Sequence, residues 1–258
     1  MHLDELTRPI SVTDEFGLLQ PEYLREHAAL RTGVHWLDSK LGGFERPQVV
    51  LLDGPREFTS TLTSSICVEA LTDFDRELVF VDGGNSIDLF GISELCREAG
   101  HDPDEVLSRI TVSRAFTAHQ FAALINGGLE GIIADTEAST LVVSCFVDLF
   151  LDDDMAWYES LQLIKRSLAE IRRVTEEFGL VSIITNHDLA KIRNRRVLRS
   201  IMFGAPDRAV VFEERKAGML VTVPKQGQYF HRHYVPEEQR ILDTYGLEAT
   251  DGEDRADV

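Results

Sequence analysis

The chain has 258 residues, 43% hydrophobic and 27% charged, and its formal net charge is −18. This length suits one sizeable α/β domain with a small extension, and no apolar run approaches the ~20 residues of a membrane span. The first residues have neither the basic start nor the apolar centre of a signal peptide, so we expect a cytoplasmic protein without membrane association.

The cysteines, Cys67, Cys96 and Cys145, are odd in number and lie in apolar patterns. This usage predicts buried free thiols in a reducing compartment. The Cys and His residues lack metal-ligand spacing along the chain, so the sequence predicts no metal site.

Only five of the 26 basic residues are lysine, which leaves an acidic, lysine-poor surface. Molar salt screens the self-repulsion of such a surface, so one hypothesis is the cytoplasm of a halophile. A fold that is stable and soluble without salt would contradict it and favour an ordinary acidic protein.

The pattern along the chain predicts an N-terminal arm over residues 1–30, a core domain over 31–246 and a disordered acidic tail over 247–258. Apolar runs of strand length alternate with helical periodicity in the core, and its last strands are short. The predicted strands cover residues 48–53, 77–82, 110–112, 140–146, 181–185, 209–212, 219–223 and 229–235. The predicted helices run from residue 62, over 87–99, from 117 towards 128 and over 157–178. This alternation predicts an α/β fold with a mostly parallel central sheet, flanking helices and antiparallel strands at the C-terminal end.

Residues 54–61 keep the frame of a nucleotide-binding phosphate loop, whose pattern is G-x-x-x-x-G-K-[ST]. Gly54 and Thr61 match the pattern and Pro55 follows the first glycine, but Thr59 replaces the second glycine and Ser60 the lysine. Since that lysine contacts the β- and γ-phosphates, the segment predicts a degenerate nucleotide-binding loop. The alternative is an ordinary strand-to-helix turn with a Gly-Pro bend.

Basic residues concentrate late in the chain. Residues 188–225 hold nine basic and four acidic residues, a net +5, against −23 for the rest. An arginine-rich segment in an acidic protein suggests a polyanion partner, with a solvated loop paired to carboxylates as the alternative. The predicted DNA-contacting residues are Lys191, Arg193, Arg195, Arg196 and Arg199.

The order and spacing of these elements resemble the RecA-like ATPase core, most closely the archaeal RadA/RadB recombinases and KaiC-like relatives. Residues 32–44 are similar to the segment that opens that core, and residues 183–186 to the strand before its DNA-binding loop. Residues 102–107 and 110–120, with Arg114 among them, are similar to a RadA segment between core strands. The resemblance implies a RecA-like sheet and places the arginine-rich segment at the DNA-binding loop.

The departures from that family concern its chemistry. The resemblance implies that Ser60 replaces the phosphate-binding lysine, Gly84 the catalytic glutamate, Ser144 the Walker B aspartate and His187 the γ-phosphate sensor. Phosphoryl transfer depends on these groups for positioning and charge stabilisation. The sequence therefore predicts no catalytic residues and no significant ATPase activity.

No cofactor is required by this interpretation. The alternative is a weak or unconventional ATPase that retains ATP and magnesium. In that case Asp82 or Asp148 would contact the metal ion, and the backbone amides of Thr59 and Ser60 would contact the nucleotide.

The resemblance implies an accessory factor in recombination or repair that binds DNA, with the single-stranded form expected, or a RadA-like recombinase. An oligomer stays open, but a filament is not expected, because we find no clear Phe-x-x-Ala polymerisation motif in the first 30 residues. A KaiC-like regulatory or scaffold protein that does not bind nucleic acid is the remaining alternative.

Overall fold

The computed structural model describes residues 29–73, 77–151, 155–189, 196–216 and 218–233. The predicted acidic tail and nearly all of the predicted N-terminal arm lie outside these residues. Eight strands form one sheet: β1 (Gln48–Gly54), β2 (Leu78–Asp82), β3 (Ile110–Arg114), β4 (Thr140–Ser144), β5 (Val181–His187), β6 (Arg208–Arg215), β7 (Gly218–Val223) and β8 (Gln228–His233). The helices are α1 (His35–Leu41), α2 (Arg56–Asp73), α3 (Leu89–Glu98), α4 (Pro103–Ser108), α5 (Ala118–Ala123), α6 (Leu129–Thr136), α7 (Trp157–Phe178) and α8 (Arg196–Gly204).

The sheet has the strand order β3-β2-β4-β5-β1-β6-β7-β8. The strands from β3 to β6 pair in parallel, and β6, β7 and β8 form antiparallel pairs. This arrangement confirms the predicted α/β class, with antiparallel strands at the C-terminal end of the chain. The central strands β2 and β4 are buried along their whole length, because helices cover both faces of the sheet.

Two hydrophobic cores lie on the two faces of the sheet. One packs α5, α6, α7 and α8 against the sheet, with Phe121, Phe146 and Phe150 in mutual aromatic contact. The other packs α1 to α4, and it includes two of the three cysteines, Cys67 and Cys96. All three cysteines are buried free thiols, as predicted. None of the helices in the described ranges has the length and apolarity needed to cross a bilayer.

Two helices differ from the sequence expectation. The helix that begins after Thr117 does not end near Gly128; it continues through a π-helical turn, Leu124–Gly128, into α6. The π turn absorbs the two glycines without a break, and the Asn126 side chain donates to the Ala122 carbonyl at 2.6 Å. The other difference is the start of α2, which decides the geometry of the candidate site.

Candidate nucleotide and metal site

The helix α2 begins at Arg56, directly after Pro55, so residues 56–61 are helical and the predicted loop over 54–61 is wrong. The Thr59 amide donates to the Pro55 carbonyl at 2.9 Å, which removes it from the donors available to a phosphate. Without a second glycine, nothing in this segment opposes helix formation, and Pro55 has its φ fixed near the helical value. The backbone therefore forms a helical turn where a phosphate loop would need an open cradle.

The remaining residues of this segment also have local partners. A Cβ built on Gly54 would lie 2.7 Å from the Phe212 Cβ, so this glycine permits the close approach of β6. The exposed Thr61 donates its hydroxyl to the Glu57 carbonyl at 3.0 Å. Ser60, at the lysine position, is half-buried and lines a small cavity.

That cavity has a volume of about 10 Å³, which is space for a single water molecule. Small-molecule sites typically enclose several hundred Å³. Seven of the thirteen lining residues carry hydroxyl groups, and most of the cavity surface is nevertheless apolar. The hydroxyl-bearing residues are Thr59, Ser60, Thr63, Ser64, Ser86, Ser144 and Thr185, and the others are Cys67, Phe80, Ile87, Asp88, Ile92 and His187. In this conformation the cavity is too small for a nucleotide.

Asp82, at the end of β2, is fully buried and anchors three strands. Its Oδ2 accepts from Arg114 of β3, with Nε and Nη2 both at 3.1 Å. Its Oδ1 accepts from the Ser86 amide at 2.9 Å and lies 3.1 Å from the Ser144 hydroxyl of β4. Burial alone would raise the pKa of this carboxyl, but hydrogen bonds from Ser86, Gly84 and Ser144 hold it below its usual range. Asp82 as a magnesium ligand stays a prediction, and its carboxylate is already bound on both oxygens by protein groups.

Gly84 lies against the side chain of Cys145. A Cβ built on Gly84 would come within 2.5 Å of Sγ and 2.6 Å of Cβ of that cysteine. The place implied for a catalytic glutamate therefore has no space for any side chain.

Cys145, Asp148 and His187 meet at the carboxyl ends of β4 and β5, and their ligand atoms all lie within 4.8 Å of one another. The Cys145 Sγ is 3.2 Å from His187 Nε2, and His187 Nδ1 is 3.2 Å from the Thr59 hydroxyl. Asp148 also pairs with Arg56 at 3.3 Å, and Arg56 is 60% exposed. Ligands bind at this edge of parallel sheets, so the cluster occupies the expected position of a functional site.

The electrostatics favour the neutral forms of the Cys145 thiol and the His187 imidazole when no ion is bound. Burial is the main cause that raises the pKa of the Cys145 thiol, and the Asp148 and Asp82 carboxylates add to it. A hydrogen bond with Ser86 and the charge of Arg56 oppose this rise without cancelling it. Burial and the Arg56 guanidinium lower the pKa of His187, so its imidazole is neutral near pH 7.

The sequence expectation of no metal site did not anticipate this cluster. Cys145 and Asp148 are three residues apart, but His187 lies 42 positions beyond Cys145, and only the pairing of β4 with β5 brings it close. The one signal was that Cys145 and His187 both lie within two residues of the end of a predicted strand, since parallel strands end at the same edge.

Three of the predicted DNA-contacting residues, Lys191, Arg193 and Arg195, lie outside the described residues. Arg196 is exposed at the start of α8, whereas Arg199 is half-buried, with its Nε buried and without a hydrogen-bond partner in the described parts of the chain. Before this segment, the Leu189 amide donates to Asp53 Oδ1 at 2.8 Å. Leu189, the last described residue before the arginine-rich segment, therefore lies at the same sheet edge as the Cys145, Asp148 and His187 cluster.

Comparisons with known proteins point in one direction. The Rad51 family model matches residues 25–206. Over 194 residues the chain is 27% identical to the DNA repair and recombination protein RadA of Aeropyrum pernix, covering 70% of this chain and 57% of RadA. Over 177 residues it is 23% identical to the DNA repair protein RAD51 of Saccharomyces cerevisiae, covering 65% of this chain and 44% of RAD51. The chain thus spans about half the length of these relatives.

Proposed function

Because the chain belongs to the Rad51 family, we propose that it is an accessory member of that family which binds DNA without hydrolysing ATP. The observation that carries the proposal is the closed nucleotide position, where α2 begins at Arg56 and Gly84 lies against Cys145. A recombinase of the same family is the expected protein partner.

The loss of hydrolysis follows from the groups at the site. Ser60, Ser144 and Gly84 supply neither a cation, nor a metal-binding carboxylate, nor a base. Removal of one preorganised transition-state contact costs roughly 3 kcal/mol, so the loss of several together abolishes useful turnover. The small cavity and the helical turn over residues 56–61 support the same conclusion.

The arginine-rich segment supports DNA binding. Arg196 is exposed beside Lys191, Arg193 and Arg195 in the sequence, and contacts from such residues to phosphates are independent of base sequence. Four phosphate contacts give a slope of about −3.6 for duplex DNA, and about −2.8 for single strands, in a log–log plot of affinity against salt. Binding must therefore weaken steeply as salt rises.

Fluorescence anisotropy with labelled single- and double-stranded DNA tests the proposal across a salt series in which circular dichroism shows a folded chain. The variant R195A/R196A removes two charges from the segment, and K165A/R166A removes two exposed charges from α7 as a matched control. We expect the first variant to reduce the magnitude of the salt slope by about 1.8 with duplex DNA and by about 1.4 with single strands, and the control to leave it unchanged.

Equal effects of the two variants would show that net charge alone governs binding. No binding at any salt would contradict DNA as the ligand and direct the search to protein partners. ATP-dependent stabilisation in a thermal melt, measured on the same samples, would instead support the weak-ATPase alternative.

A further inference from the structure

Three side chains of the types that bind transition metals meet at the carboxyl edge of the sheet: Cys145, Asp148 and His187. Zinc binds Cys sulfur at ~2.3 Å and His nitrogen at ~2.0–2.1 Å, so two such ligands at a tetrahedral angle lie about 3.6 Å apart. The distance from Cys145 Sγ to His187 Nε2 is 3.2 Å. A shift of a few tenths of an ångström would admit an ion between them.

The hydrogen bonds of Thr59 set the tautomer of His187. The Thr59 hydroxyl donates its proton to the Pro55 carbonyl at 2.6 Å, so it accepts the proton of His187 Nδ1 at 3.2 Å. The lone pair of Nε2 is then directed at Cys145. A histidine that donates one ring N–H to a protein oxygen and presents the other nitrogen to the ion is the usual outer-sphere arrangement of metal sites.

The backbone holds Cys145 in an uncommon conformation. Its φ is +51°, which non-glycine residues rarely adopt, and its amide donates to the Thr185 hydroxyl at 3.3 Å. The next amide, that of Phe146, donates to the Thr185 carbonyl at 3.0 Å. Such conformations are concentrated at functional sites, because surrounding contacts must maintain them.

The third ligand already has a cationic partner that an ion can replace. Asp148 pairs with Arg56 at 3.3 Å, and the two side chains are 31% and 60% exposed. Ion pairs as exposed as this are weak. An ion bound by Cys145 and His187 would coordinate Asp148 in place of Arg56, and the Arg56 side chain would then be hydrated by solvent.

We propose that Cys145, Asp148 and His187 bind one Zn²⁺ ion, with the fourth coordination position open to water or an exogenous ligand. Thiolate and imidazole ligands favour zinc over magnesium, so this is not a magnesium–nucleotide site. Three protein ligands with an open position are typical of zinc sites that exchange a ligand. The ion would join the ends of β4 and β5 at the sheet edge where Leu189 lies.

Cobalt substitution tests the proposal directly. Co²⁺ titrated into the full chain under reducing conditions should produce a thiolate-to-cobalt charge-transfer band in the near ultraviolet. The band should saturate at one ion per chain and disappear when Zn²⁺ is added. Competition between the chain and a chromophoric chelator then gives the zinc affinity.

Variants identify the ligands. C145S should abolish the band, and D148N should retain it with at least ~10-fold weaker zinc binding. T59V, which removes the oxygen that orients His187, should weaken zinc binding roughly 10–100-fold. The control C96S removes a buried thiol in the other core and should keep the band. The control H231N/H233N removes the alternating histidines of β8 and should keep it as well.

A folded chain without the band, or a band that survives in C145S, would overturn the proposal. If C145S does not fold, D148N and T59V decide the matter, since an unchanged zinc affinity in both would overturn it too.

Discussion

Gly84 and Cys145 are in contact across the ends of two neighbouring strands, and a Cβ on Gly84 would lie 2.5 Å from the cysteine Sγ. The two residues are therefore coupled: the absence of a side chain at position 84 makes room for the thiol at 145. A catalytic glutamate at position 84 and the proposed zinc ligand Cys145 would therefore need the same space, and only one of them can occupy it.

Substitution of Gly84 by alanine should destabilise the fold by about 1–3 kcal/mol, because the added methyl has no space. Adding C145G to G84A should restore much of the lost stability, because the substitution removes the clashing atoms. The φ of +51° at position 145 also suits glycine. Urea unfolding of the four proteins measures the coupling. As a control, G131A lies in α6 with nothing within 4 Å of the added Cβ and should not destabilise. Additive losses in the double variant would contradict the predicted contact.

Replacement of Asp82 by asparagine should cost roughly 3 kcal/mol, because a fully buried carboxylate that binds Arg114, Ser86 and Ser144 is lost. Arg114 is 36% exposed and can reach water, which keeps the cost at the lower end of the range for buried pairs. D148N is the matched control, since its partner Arg56 is 60% exposed, and it should change stability by less than about 1 kcal/mol. Equal losses in the two variants, measured by chemical unfolding in the presence of a chelator, would rule out the anchoring role of Asp82.

Acid should remove the contribution of Asp82 to stability. The pKa of this carboxyl is lowered in the folded state, so its contribution is fully present above the unfolded value of about 3.9 and is lost as the pH falls through the folded value. The difference in unfolding free energy between the wild type and D82N should therefore be constant from pH 7 to about pH 5 and shrink below pH 4. Unfolding curves over a pH series check this, and a difference that persists unchanged into acid would contradict it.

Restoration of the phosphate-loop residues should not restore nucleotide binding. The double variant T59G/S60K supplies the missing glycine and lysine, but residues 56–61 remain a helical turn whose amides are directed along the helix. Thermal melts with and without ATP and magnesium should superimpose, after circular dichroism confirms a folded variant. An ATP-dependent rise in the melting temperature would show that the motif residues alone had prevented binding.

The sheet could be predicted from the sequence because its strands are short apolar runs at regular spacing. The predicted ends of the helices over 87–99 and 157–178 also agree closely, since Gly100 and Gly179, which follow these ranges, have positive φ. The start of α2 differs from the expectation because Arg56 and Glu57 favour a helix where the phosphate-loop frame predicts a loop. Gly127 and Gly128 predicted an end of helix, but the π turn accommodates them.

The candidate site was predictable only in its position at the sheet edge. Its contacts join residues that are far apart in sequence, such as Thr59 and His187, which are 128 positions apart, and a single sequence carries no record of such pairs. Composition predicted three buried thiols, but only the register of β4 with β5 distinguishes Cys145 from Cys67 and Cys96.

The helical turn at Arg56 also bears on how this protein can evolve. Several residues of that turn make contacts that depend on the helix, such as the Thr59 hydrogen bond to Pro55 and the packing of Phe58 on Phe212. A single reversion towards a nucleotide loop loses such a contact and gains no phosphate contact until the whole turn unwinds. Single substitutions under selection are therefore not expected to recover the nucleotide loop. The same edge of the Rad51 scaffold can meanwhile acquire other ligands.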